Sequence, residues 1–203
     1  MDIKVYKIYI DGACPGNGTD EAVGGMGFAQ ENVRPVSVPY TDHMLQRYGI
    51  PTNQKTELLA ALIAVATLCQ ALKEDEEFAI QAKAKLIIIE VYSDSKYVVD
   101  GINIWLHNWK ANGWYNSKKQ PIANLQMWKD IDAILSYGDH RGLFSFFHVA
   151  GHSGNKLNDQ ADEAAVYATS NNRGDENHLM LSMTSDDWSS FLEMLASCYA
   201  IQF

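Results

Sequence analysis

Between Leu58 and Leu72 the chain is apolar almost all round, with Leu58, Leu59, Leu62, Ile63, Val65 and Leu68 spread over every side of a helix. A helix apolar on every side has to be buried on every side. Thr52 or Asn53 supplies its cap, and the acidic run Glu74-Asp75-Glu76-Glu77 opens a polar connection after it. On either side stand runs of β-branched and aromatic residues, Ile3 to Ile10 and Leu86 to Tyr92, which read as strands. A buried helix joining two strands of one sheet is a crossover, so these two strands are expected to lie parallel.

The remaining elements fall around that unit. Gly24 to Ala29 and Val33 to Tyr40 read as strands of an antiparallel meander, whose glycines suggest close backbone approach or bulges. Helical patterns cover Ser95 to Asn108 and Leu125 to Leu135; Leu143 to Val149 is a fifth strand and Asn158 to Thr169 a further helix. The order β-β-β-α-β-α-α-β-α implies an α/β protein with a mixed sheet covered by helices. Composition changes after Ala168. The expected organisation is a main domain over 1–169, a polar linker over 170–184 and an amphipathic helix within 185–203, where Trp188, Leu192, Leu195 and Tyr199 recur near helical spacing. That helix is expected to pack on the domain or to bind a protein partner.

No apolar run approaches the roughly 18 residues of a membrane span, so no membrane role is expected. The three cysteines, Cys14, Cys69 and Cys198, form no zinc-type pair and read as reduced thiols of a cytoplasmic protein. The net charge of −9 argues against a nucleic-acid partner when taken alone. Its distribution weakens that objection. Residues 170–203 hold one base, Arg173, against Asp175, Glu176, Asp186, Asp187 and Glu193, and four further acids stand where cations could neutralise them.

Those four are Asp11, Glu57, Asp94 and Asp162. Asp11 and Asp94 stand where two predicted parallel strands run out, and adjacent strands lie about 4.8 Å apart. Two carboxylates so placed repel unless a cation bridges them or one is protonated. Glu57 begins the small-residue face Ala60, Ala61 and Ala64 of the buried helix, and Asp162 lies on a helix with Ala161 and Ala165 facing inward. Singly, each acid has an ordinary structural explanation as a cap, a dipole partner or surface charge. The coincidence of four favours chemistry.

At these residues the sequence resembles type 1 ribonuclease H over about residues 3–169. The resemblance rests on Tyr9-Ile10-Asp11-Gly12-Ala13-Cys14-Pro15-Gly16-Asn17, on Thr52-Asn53-Gln54-Lys55-Thr56-Glu57-Leu58, on Tyr92-Ser93-Asp94-Ser95-Lys96-Tyr97-Val98, and on Gly151-His152-Ser153-Gly154 followed by Asn158 and Ala161-Asp162-Glu163. It implies a ribonuclease H-like fold, with a five-stranded mixed sheet of order 3-2-1-4-5 flanked by helices on both faces. It also implies a monomeric endonuclease that hydrolyses the RNA strand of an RNA–DNA hybrid and leaves 5′-phosphate and 3′-hydroxyl ends. Asp11 is then expected to bridge two Mg²⁺ or Mn²⁺ ions, with Glu57 and Asp94 completing one site and Asp162 the other. His152 is expected beside the metals as a proton shuttle or product-release residue.

The same resemblance assigns Cys14, Gly16, Asn17, Thr52, Asn53 and Gln54 to the minor groove of the hybrid, with Ser95 and Asn158 as further contacts. The segment Trp105 to Pro121 resembles the hybrid-binding protrusion of bacterial members, carrying Trp109, Lys110, Trp114, Lys118 and Lys119. Lysines suit phosphates, and indole faces suit sugars or bases. Trp105 and Trp109 are four apart, so helix core is the competing reading. Two other functions compete: another nuclease of this fold, such as a resolvase, transposase or exonuclease domain, and a catalytically dead binding module.

Overall fold

The computed structural model describes residues 2–136 and 141–170 and the backbone of Leu179–Met180. The strands are β1 (Lys4–Ala13), β2 (Gly25–Gln30), β3 (Val33–Pro39), β4 (Ile87–Ser93), β5 (Phe144–His148) and the two-residue β6 (Leu179–Met180). The helices are α1 (Asp42–Tyr48), α2 (Asn53–Glu74), α3 (Glu76–Lys83), α4 (Lys96–Asp100), α5 (Leu106–Ala111), α6 (Leu125–Ser136) and α7 (Lys156–Ala168). A π-helical stretch, Gly101–Trp105, joins α4 to α5.

The sheet runs β5-β4-β1-β2-β3-β6. The expected order of five strands stands, and β6 adds to the β3 edge through Val36↔Leu179 and Ser37↔Met180. The crossover argument stands as well: β1 and β4 are parallel, from Lys4↔Ile87 to Tyr9↔Tyr92. The linker expected over 170–184 and the helix expected over 185–203 lie outside the described residues, apart from Ser170 and Leu179–Met180.

Alternation along the strands sends one face to each helical layer. Ile10, Met26 and Val38 join Leu58, Leu62 and Val65 of α2 and Trp128 of α6 in the main core. Tyr9 and Ala29 face the other way, onto Ala161 of α7. Thr52 caps α2 by accepting from the Lys55 amide at 3.3 Å. By length and composition α2 could cross a membrane, contrary to the expectation that no segment could, but most of it is buried inside this core.

Two helices escaped the sequence pattern. The acidic connection contains α3: the Asp75 carboxylate accepts from the Phe78 amide at 3.0 Å, and Glu76 and Glu77 occupy the first turn. Acids at a helix start complement its dipole, so the same charges that read as a loop stabilise a helix. The short α1 is held from outside itself. Arg47 forms two hydrogen bonds with the fully buried Asp130 of α6, Nε to Oδ2 at 3.0 Å and Nη2 to Oδ1 at 2.8 Å. The Tyr48 hydroxyl donates to the same carboxylate at 2.8 Å.

The glycines of β2 have the predicted use. A Cβ on Gly27 would stand 2.0 Å from the Ala161 carbonyl oxygen and 2.4 Å from the Ala165 amide nitrogen. Helix α7 therefore rests its backbone directly on β2. Gly27→Ala is expected to lower stability by about 1–3 kcal/mol, the usual range for overpacking. Gly142→Ala, where an added Cβ meets nothing within 4 Å, serves as the comparison in urea unfolding.

Candidate active site

Asp11 is a buried residue of β1 on the face that α7 covers. Its Cα partner in β2 is Gly27, the residue on which Ala161 rests. Asp162 follows Ala161, so the close approach at Gly27 carries Asp162 to Asp11. On the parallel side, Asp11 and Asp94 each stand two residues beyond the Tyr9↔Tyr92 pair. Glu57 arrives by a third route. A Cβ on Gly12 would fall 2.3 Å from the Glu57 amide nitrogen, so the first turns of α2 lie against the end of β1.

The electrostatics follow from this placement. Burial pushes the Asp11 carboxyl up to about 8, and the charges of Asp94, Asp162 and Glu57 all push in the same direction. The Gly12 amide, donating to Asp11 Oδ1 at 2.7 Å, opposes the rise. Burial also raises the Glu57 carboxyl, with Asp94 adding to it and a hydrogen bond from the Ser95 hydroxyl working against it. That hydroxyl is at the same time the cap of α4, accepting from the Val98 amide at 3.4 Å. Ser95, expected as a substrate contact, is thus buried and engaged with Glu57.

A stack of rings fixes the approach to this edge. Tyr9 and Tyr92 lie face to face at 4.6 Å, and Tyr92 stacks on Phe147 at 5.3 Å. The loop after β5 closes the other side. A Cβ on Gly151 would come 2.6 Å from Asp94 Oδ2, so the turn bearing His152 passes against that carboxylate. His152 is exposed and takes a left-handed conformation, with φ 49°. His148 was not anticipated. Its Nε2 lies 3.1 Å from the Asp94 carbonyl oxygen, and only its register opposite Ser93 at the end of β5 could have pointed to it.

Several expected substrate residues share one rim. Asn17 Oδ1 accepts from the Asn53 amide at 3.2 Å, which joins the turn after β1 to the start of α2. Gly16, Asn17, Asn53 and Gln54 are exposed there, whereas Cys14 is buried beneath them. Asn158 is also buried, and among the described residues its Oδ1 has no hydrogen-bond partner.

The protrusion is built differently from a simple basic handle. Trp109 packs on Trp128 at 5.2 Å and on Trp105 at 5.6 Å, so it is partly a core residue. Lys110 Nζ lies 2.8 Å from Asp132 Oδ2, so this lysine is held in an ion pair. Trp114 is half-buried, with Lys129 Nζ 5.9 Å from its ring centroid. Lys118 and Lys119 are exposed.

The donor set consists of oxygen ligands alone, which suits hard divalent cations such as Mg²⁺ or Mn²⁺. Among the described residues no three acid, histidine or cysteine side chains close into a ready cation cage. Asp94, Asp162 and Glu57 each act on Asp11 through their charge.

Comparison with known proteins agrees with this geometry. The family model described as RNase H matches residues 4–170. The chain is 36% identical over 164 residues to a ribonuclease H of Parvibaculum lavamentivorans, covering 79% of this chain and 89% of that protein. This chain belongs to the ribonuclease H family. A ribonuclease H of Citrobacter koseri is 34% identical to it over 172 residues, covering 83% of this chain and 92% of the relative. Two solved structures share the fold of this ribonuclease H at lower identity. The solution structure of the PFV RNase H domain has a TM-score of 0.58 at 24% identity, covering 81% of this chain and 93% of that one. The crystal structure of LC9-RNase H1, a type 1 RNase H with the type 2 active-site motif, has a TM-score of 0.57 at 23% identity, covering 98% of this chain and 86% of that one.

The raised Asp11 carboxyl has a consequence for stability in chelator. Between the ordinary carboxylate value of 3.8 and about 8 the folded ribonuclease H holds a proton there that the unfolded chain has released. Stability contributed by this group is therefore full below about pH 4 and is lost as pH rises through about 8. In EDTA, Asp11→Asn is expected to melt at a higher temperature than the parent at pH 8–9. The gap should close towards pH 4 in melting curves recorded across the range. Ser95→Ala removes a cap and is expected to lower stability by about 1 kcal/mol in urea unfolding, with Ser95→Thr restoring most of the loss.

Proposed function

We propose that this ribonuclease H is an endonuclease that hydrolyses the RNA strand of RNA–DNA hybrids at the edge where Asp11, Glu57, Asp94 and Asp162 converge. The observation that carries the reading is the Asp11 carboxyl, buried in the field of the other three acids. Carboxylates so placed raise one another's energy, and divalent cations relieve that strain. Asp11, at the centre, would hold both ions; Glu57 and Asp94 would complete one site and Asp162 the other. Bound there, a pair of Mg²⁺ or Mn²⁺ ions supplies an activated water and stabilises charge on the leaving 3′ oxygen, which gives 5′-phosphate and 3′-hydroxyl ends.

The chain's own groups do the rest. Ser95 holds the Glu57 carboxylate through its hydroxyl while its backbone follows Asp94, so one residue orients two of the acids. His152, on the turn against Asp94, serves as the proton shuttle or product-release residue beside the acids. Asn17, Asn53 and Gln54 offer amides that both donate and accept, the chemistry needed to test for a 2′-hydroxyl in a minor groove. The helical run from Lys96 to Ala111 leads away from the acids, so the exposed Lys118 and Lys119, with Trp114, meet the hybrid away from the cleaved bond, while Trp109 supports them from its ring cluster. The enzyme acts as a cytoplasmic monomer in this reading.

Labelled RNA–DNA hybrid, duplex DNA and duplex RNA incubated side by side with Mg²⁺ provide the test. Cleavage is expected in the RNA strand of the hybrid alone, and EDTA should stop it. Asp94→Asn should reduce cleavage to background while hybrid binding, measured by mobility shift, stays within a few-fold of the parent. Cutting of duplex DNA, or full activity in the variant, would overturn the assignment.

A further inference from the structure

Beside the lower half of α2 the core is open. A groove of about 250 Å³ runs between Ile63 and Leu68 of α2 and Phe28, Val36 and Val38 of the sheet, with Arg34 also in its lining. Apolar walls of this kind give water few partners, so the groove gains free energy when apolar side chains fill it. It lies on the face opposite α7, whereas Asp11 lies on the α7 face.

The chain itself brings material to this place. β6 pairs with β3 through Val36↔Leu179, and Val36 is a wall of the groove. The 23 residues after Met180 therefore begin at its side, as the sequence runs to Phe203. A helix of 16 residues, from Ser185 to Ala200, would span about 24 Å. Its Trp188, Leu192, Leu195 and Tyr199 recur at helical spacing and would form one apolar face. Asp186 and Asp187 precede that face, with a charge opposite to that of Arg34.

We propose that the groove between α2 and the β2–β3 hairpin is the docking site of this chain's own segment 185–203, seated through Trp188, Leu192 and Leu195. The segment completes the main core from outside and is delivered to it by the β3–β6 pairing. It acts on stability and leaves the carboxylate edge alone.

A double-mutant cycle in the full chain tests this. Ile63→Ala on the groove and Leu195→Ala on the segment are each expected to lower the urea midpoint. The double variant should lose clearly less than the sum of the two, because each change removes the other's partner. Strictly additive losses would overturn the proposal. A second measurement covers the case in which Ile63→Ala fails to fold: Trp188→Ala with Leu192→Ala should raise the fluorescence of an added apolar dye several-fold, since it uncovers the groove. Unchanged dye binding would count against docking. Sedimentation of the parent should show a monomer at every concentration. A dimer that the segment variants dissociate would mean that a second copy, not the same chain, fills the groove, and would overturn the intramolecular reading.

Discussion

The placement of the carboxylates depends on backbone contact between helices and sheet. Helix α7 reaches β2 only because Gly27 presents no side chain, and the start of α2 reaches β1 only because Gly12 presents none. A helix standing off at an ordinary packing distance would leave Asp162 and Glu57 remote from Asp11. The electrostatic result is unfavourable in itself: a buried acid is surrounded by three others. The apolar core around α2 and Trp128 offsets that, so the region that stabilises and the region that gathers the acids are different parts of one sheet.

Much of this was legible in the sequence because it follows from period and burial. A helix apolar all round between two strands forces a crossover, and a crossover puts Asp11 and Asp94 on one edge. The glycines of the second strand already implied close approach. What could not be read were contacts between distant residues. Nothing local marks Arg47 as the partner of Asp130, 83 positions away. The length of α1, short for a free helix, hid an element that this ion pair holds in place. The acids of α3 carried a loop signal and a helix-start signal together. His148 had no pattern of its own, and the bond from Ser95 to Glu57 exists only in the folded chain.

The protrusion also departs from its composition. Its lysines suggested a basic surface, yet Lys110 is paired with Asp132, and Trp109 is committed to a cluster with Trp105 and Trp128. A cation held by an ion pair contributes less to phosphate binding than a free one, so fewer counterions would be released when a hybrid binds. The aromatic cluster instead stiffens the segment. Asn116 reinforces it by accepting from the Lys118 and Gln120 amides at 2.9 and 3.0 Å.

The stacked rings of Tyr9, Tyr92 and Phe147 line the carboxylate edge. They cross three strands, and two of them sit two residues before Asp11 and Asp94. Mutual repulsion of those acids works to spread β1 from β4, and the ring stack resists that spreading where the ladder ends. The ladder and the ring stack together therefore hold the two strand ends side by side before any cation binds, so the acids start from a preset separation.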